Sequence, residues 1–164
     1  MANDTKKLTI TAEPEERIEA ALCAILLRYC TVAVEGALTP SDEGIVRTIG
    51  GDSLVSVVID QQSQDLDFRG SRVPHTYRAQ VTVRYSIADD PSAAKFREEC
   101  RRVRAALLSL TGDDCVDLGA DGFACDEFMI DSTSTTFEGG DNPCNVKTYS
   151  ATVKGRIINT QTEA

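Results

Sequence analysis

Side chains able to do chemistry are few in this chain, and they stand apart from one another. His75 is the only histidine, and it follows Pro74 in a polar stretch. A catalytic nucleophile needs a base within hydrogen-bond reach. Neither a G-x-S-x-G elbow nor a G-x-x-x-x-G-K-[ST] phosphate loop occurs. The expectation for His75 is therefore an exposed loop residue. The glycine pairs Gly50-Gly51 and Gly139-Gly140 lack the spacing with which a backbone cradles a pyrophosphate, and they read as turns.

Metal chemistry has one candidate, the acidic run from Asp113 to Asp126. Within it, Asp117-x-Gly119-x-Asp121-Gly122 has an EF-hand look, but the twelfth loop position is Phe128, where calcium needs a bidentate Glu. The expectation is a solvated acidic loop. The six cysteines, Cys23, Cys30, Cys100, Cys115, Cys125 and Cys144, contain no C-x-x-C pair. They read as free, small buried hydrophobes, with Cys23 and Cys30 on one face of a helix. No catalytic residue, cofactor or metal is expected, and the chain reads as a non-enzyme.

Charge narrows the partners. There are 26 acidic and 17 basic residues, a net charge of −9. Nucleic-acid affinity rests largely on Lys and Arg against phosphates, so this balance opposes it. Arg97, Arg101, Arg102 and Arg104 cluster on one helix, but Glu98 and Glu99 interrupt them and no aromatic residues interleave. A solvated face laced with ion pairs is expected. No stretch reaches the roughly 18–20 apolar residues that span a bilayer. The first residues, Met1 to Lys7, lead into no apolar segment, and the chain reads as cytoplasmic with no membrane contact.

The elements that would position these groups follow from periodicity. Residues 1–10 are polar and expected to be flexible, with Leu8-Thr9-Ile10 able to add an edge strand. From Pro14 to about Val34, apolar residues at Ile18, Leu22, Ile25, Leu26 and Tyr29 predict a helix, stopped by Gly36. Residues 36–51 read as a loop with a possible weak strand at Ile45-Val46, and Leu54 to Ile59 as a strand. Residues 60–75 form a polar arm, either a long hairpin tip or a loop. Strict alternation over Tyr77 to Ile87 predicts a strand with one covered face. Asp90 caps and Pro91 opens a second helix running to Leu110, with Phe96, Cys100, Val103, Leu107 and Leu110 as its buried stripe and Gly112 as its stop. Residues 127–137 and 147–157 predict a closing antiparallel hairpin around Gly139 to Pro143.

At 164 residues the chain suits one domain. The expected fold is α+β: a two-layer sandwich in the order α-β-β-α-β-β, with a four- or five-stranded, mostly antiparallel sheet covered on one face by two helices. Arg78, Gln80, Thr82, Arg84, Thr133, Thr135, Thr148, Thr152 and Lys154 are expected on the other, polar face, which suits subunit contacts.

Four segments together resemble a known family. They are the helix EERIEAALCAILLRY, the strand HTYRAQVTVRYSI, the helix PSAAKFREECRRVRAALLSL, and the hairpin EFMIDSTSTTFEGG followed by NVKTYSATVKGRII. In this order they resemble the tail terminator (tail completion) proteins of long-tailed bacteriophages. The likeness spans nearly the whole chain and rests on element order and strand character, with no diagnostic motif. It implies a virion protein of the tail or neck, made in the host cytoplasm, that forms a ring-shaped homo-oligomer, a hexamer in that family. Such a ring would cap the tail tube, contact the tube protein and the head–tail connector protein, and let DNA pass through its lumen without specific binding. The acidic, cysteine-containing stretch 111–126 departs from the shortest members. By the same analogy the arm is the expected contact element, giving Gln61, Gln64, Asp67, Phe68, Arg69, Arg72 and His75 as interface residues, with Arg78 and Arg84 on the adjoining strand. Two alternatives stay open: a head–tail connector or minor tail protein, and a small-molecule-binding α+β module with a pocket between helix and sheet.

Overall fold

The computed structural model of the chain describes residues 14–36, 53–64, 74–111, 118–120 and 123–157. They form an α+β fold of two helices and one five-stranded mixed sheet. The elements are α1 (Pro14–Leu27), β1 (Ala33–Gly36), β2 (Leu54–Gln64), β3 (Pro74–Ser86), α2 (Ala94–Leu108), β4 (Phe123–Glu138) and β5 (Cys144–Ile157). The strands lie in the order β1-β2-β3-β5-β4. β1 pairs parallel with β2, and the other three pairings are antiparallel.

The first helix is shorter than its pattern suggests. It starts at Pro14 with Glu15 and Glu16 in its first turn, where carboxylates favour the positive end of the helix dipole. It ends at Leu27, in place of the expected Val34. The last turn tightens, with the amides of Arg28 and Tyr29 donating to Ile25 and Leu26 carbonyls at 3.1 and 3.0 Å. The next free amide, that of Thr31, donates at 2.8 Å to the Glu99 carboxylate on α2. Beyond this point the β-branched residues suit a strand, and Ala33–Gly36 becomes β1. Gly36 is thus a strand residue where α1 approaches closely: a Cβ there would sit 1.8 Å from Glu19 Oε1. Cys30 lies past the helix end, so it does not share a helix face with Cys23.

The second helix keeps its expected stripe but starts differently. Phe96, Cys100, Val103, Leu107 and Leu110 are all buried. Pro91 stands in a turn before the helix, and the N-cap position is Ala93 in left-handed backbone at φ 58°. Asp90 still caps: its carboxylate accepts from the amides of Lys95 at 3.2 Å and Phe96 at 2.8 Å. Those donors would otherwise be orphaned in the first turn. Gly112 lies outside the described residues.

One apolar cluster holds the fold together. It joins the stripes of both helices to alternate strand residues: Val55, Val57 and Ile59 on β2, Tyr77, Ala79, Val81 and Val83 on β3, and Tyr149, Ala151 and Val153 on β5. Fully burying each large side chain contributes roughly 1.5–3 kcal/mol. Tyr77 meets Phe123 of β4 edge-on, with ring centroids 5.5 Å apart. The Tyr149 hydroxyl donates to the Cys100 carbonyl at 3.0 Å, which ties β5 to α2.

The fourth strand begins at Phe123, four residues before the expected Glu127, and it is not a simple alternating strand. Register shifts against β5 fall between Cys125 and Glu127 and between Ile130 and Ser132. Each extra residue reverses the side to which the following side chains point. Phe128, the would-be calcium position, is consequently a buried core residue opposite Val153.

Candidate functional site

The polar face of the sheet is a ladder of paired side chains. Register places Asp60, Arg78, Thr152 and Met129 in one row across β2, β3, β5 and β4, and Thr82, Thr148 and Ser134 in another. Thr82 and Thr148 hydroxyls lie 3.2 Å apart, and the Thr152 hydroxyl donates to Asp131. Arg156 holds Asp126 through two bonds of 3.1 Å, and Lys154 lies 3.8 Å from Glu127. Such exposed pairs contribute about 0–1 kcal/mol each, so they define surface chemistry more than stability.

Arg84 reaches across β5 to Glu138 at 2.8 Å. Its register neighbour Val146 and the nearby Cys144 are buried on the same side. Ser86, also buried, donates its hydroxyl to Asn142 Oδ1 of the β4–β5 turn at 3.2 Å. One end of the polar face is therefore closed by side chains, and Arg84 is held in place. Arg78 is exposed near the other end.

The expected interface residues that are described lie on two paired strands. Gln61 and Gln64 belong to β2, opposite Tyr77 and His75 of β3. Within the polar segment, residues 60–64 belong to β2 and residues 74–75 to β3. Asp67, Phe68, Arg69 and Arg72 lie outside the described residues. His75 overturns its expectation: it is a β3 residue only 9% exposed, its ring 6.3 Å from that of Tyr77 and nearly parallel to it. The strand continues past the segment that alternation made obvious, and carries the histidine inward with it.

Thr133 and Thr135 also fall on the opposite face from the one expected. They pair with Tyr149 and Lys147, which line a groove with residues of α2. The bulge around Asp131 accounts for the reversal. Beyond it, from Asp131 to Glu138, every residue of β4 is exposed, whichever face it points to. β4 is also an edge of the sheet. Phe137 is 64% exposed and Met129 48% exposed on this strand.

Through Thr135, this uncovered stretch borders an open groove of about 480 Å³ between α2 and the β4–β5 hairpin. Phe96, Cys100 and Tyr149 contribute its apolar surface, and Thr135 and Asn145 its neutral polar surface. Its cations are Arg97, Arg101 and Arg104 on one wall and Lys147 on the other. The Lys147 ammonium stands 5.4 Å from the Tyr149 ring centroid. The arginine spacing, i, i+4 and i+7, was visible in the sequence, but Lys147 and Thr135 become neighbours of it only through the sheet.

The remaining reactive groups are quiet. Burial, with the Glu19 charge second, pushes the Cys23 thiol up to about 12. Burial pushes the Cys30 thiol up to about 12 as well, with Glu99 adding to the shift and Arg102 opposing it. Burial also raises Cys100 and Tyr149. Such thiols are poor nucleophiles at neutral pH. Cys23, Cys30, Cys100, Cys125 and Cys144 are free, and Cys115 lies outside the described residues. Among the described residues no group of three or more His, Cys, Asp or Glu is placed to hold a metal ion, and no helix is long and apolar enough to cross a membrane. Compared with known proteins, the chain matches no family model and no curated relative.

Proposed function

We propose that the chain is a non-enzymatic structural subunit that assembles with copies of itself into a ring, and that this ring caps a phage tail tube and joins it to the head connector. In this reading the two helices form one layer over a single face of the sheet, and the remaining sheet surface meets other subunits. The observation that carries it is β4: an edge strand uncovered from Asp131 to Glu138, rich in Ser and Thr. An edge strand presents unpaired backbone donors and acceptors, and a sibling subunit is a common way to cover them. The acidic balance of −9 fits a lumen through which DNA slides without sticking.

Electron microscopy of the protein mixed with purified tail tubes tests the assignment. A terminator decorates one end of each tube as a ring. Decoration along the tube, or none, rejects it, while binding to isolated head connectors alone favours the connector alternative. The groove beside α2 is the observation that favours the small-molecule alternative, since ligand sites are concave. A ligand site also buries most of its ligand, and this groove is open, which suits a chain segment better than a small molecule.

A further inference from the structure

We infer that the groove between α2 and the β4–β5 hairpin is a docking site for an acidic, extended segment of a partner protein. The first observation is local charge. The chain as a whole carries −9. Yet four cations line this one groove, Arg97, Arg101, Arg104 and Lys147, and no acid is among the described residues that line it. Glu98, the nearest acid on the helix, is engaged by Arg101 at 3.3 Å and Arg102 at 3.6 Å. Among the described residues no carboxylate pairs with Arg97, Arg104 or Lys147. A cationic concavity on an acidic protein selects an anionic partner by charge complementarity.

The second observation is shape. Arg97, Arg101 and Arg104 form a row along α2, stepping by roughly 6 and 4.5 Å at about 1.5 Å per residue. Same-face side chains of an extended chain recur at about 6.6–6.8 Å. The first step is close to this repeat, and the long Arg104 side chain can take up the difference of about 2 Å at the second, so a segment with carboxylates at alternate positions meets the row of planar, forked donors. Its intervening residues would lie along the floor of the groove toward Phe96 and the Thr135 methyl group. Thr135, Asn145 and the exposed Phe137 extend the same surface along the uncovered part of β4.

Nucleic acid fits less well. The cations sit in a short groove on a surface that otherwise repels phosphate, and Tyr149 is too buried to stack on a base. The inference is independent of ring formation, because a monomer presents the same groove.

The test is fluorescence anisotropy of the full chain with a fluorescein-labelled peptide of alternating glutamate and valine. A lysine–valine peptide and a single-stranded oligothymidine serve as comparisons. The glutamate peptide is expected to bind, and to bind more weakly as NaCl is raised. The double variant Arg97→Ala with Arg104→Ala should weaken binding about tenfold or more. Both side chains are exposed, so circular dichroism should be unchanged. Thr135→Glu, which sets a carboxylate into the groove from the opposite wall without touching α2, should weaken it as well. Arg78→Ala, on the other face of the sheet, should leave it unchanged. The inference is overturned if the glutamate peptide binds no better than the lysine peptide. It is equally overturned if Arg78→Ala weakens binding as much as the groove variants, or if oligothymidine binds as tightly as the glutamate peptide.

Discussion

Glu99 shows how one buried side chain can fix a chain reversal. It is 1% exposed, yet its carboxylate accepts from the Thr31 amide at 2.8 Å and the Thr31 hydroxyl at 2.5 Å. These bonds join α2 to the turn that ends α1, across 68 residues of sequence. Hydrogen bonds to charged groups contribute about 1.5–3 kcal/mol each, and Thr31 itself is exposed, so water can replace part of what the carboxylate gives it. Glu99→Ala should lower the unfolding free energy by about 2–3 kcal/mol in urea titrations, and Glu99→Gln, which keeps one acceptor, by about half of that. Two thiols stand near buried acids, Cys30 beside Glu99 and Cys23 beside Glu19, and they make stability depend on pH. Cys23 and Cys30 are raised from an ordinary 9.0 to about 12. Between those values the unfolded chain has released the thiol protons while the folded chain keeps them. The stabilisation is therefore complete below pH 9.0 and is lost as pH rises through about 12. Urea midpoints should fall steadily from pH 9 to pH 10.5, and replacing both cysteines with alanine should flatten that slope. A profile that is flat in the native sequence would contradict the placement of these thiols.

The start of α2 makes the case for the element. Asp90 stands before the turn that carries Ala93 in left-handed backbone, and it still reaches the amides of Lys95 and Phe96. Losing such a cap costs about 0.5–2 kcal/mol. Asp90→Ala should therefore lower the unfolding free energy by about 1 kcal/mol, and Asp90→Asn by less, since it retains an acceptor. Thermal melts followed by circular dichroism would show both. Asp90 was legible in the sequence as a cap, as were both apolar stripes and the alternation of β3 and β5, because each depends on spacing within one element. What was not legible depends on contacts between elements. The end of α1 at Leu27 is set by Glu99, distant in sequence. The burial of His75 requires β3 to continue back to Pro74 against both β2 and β5. The side on which Thr133 and Thr135 fall is decided by a bulge whose only local sign is one residue too many between Ile130 and Ser132. The groove needed both kinds of information: the arginine row is local to α2, and Lys147 reaches it only through the pairing of β5.

For the whole molecule, the sheet is asymmetric in how its two edges are treated. One edge is β1, a strand of 4 residues. The other is β4, with 16 residues and no cover over its second half. Long, uncharged edges normally invite unspecific pairing and are blunted by charge, proline or bulges. Here the bulge at Asp131 comes before the exposed stretch, and the run Ser132 to Phe137 carries no charge at all. A strand left in that state is suited to regulated pairing with a neighbour that supplies the missing cover. Placing lysine at Thr133 and Ser134 puts a charge on each face of that edge, while both positions are exposed and lack core contacts. The monomer should keep its unfolding free energy within about 0.5 kcal/mol, as surface substitutions usually do. Under the proposed function, ring assembly on tail tubes should nevertheless be lost, as judged by electron microscopy and by light scattering of the mixture. The same two lysines placed at Gln80 and Ser150, in the middle of the polar face, control for added charge and should leave assembly intact if the contact runs along the edge. Assembly that survives the edge lysines would move the subunit contact elsewhere on the sheet.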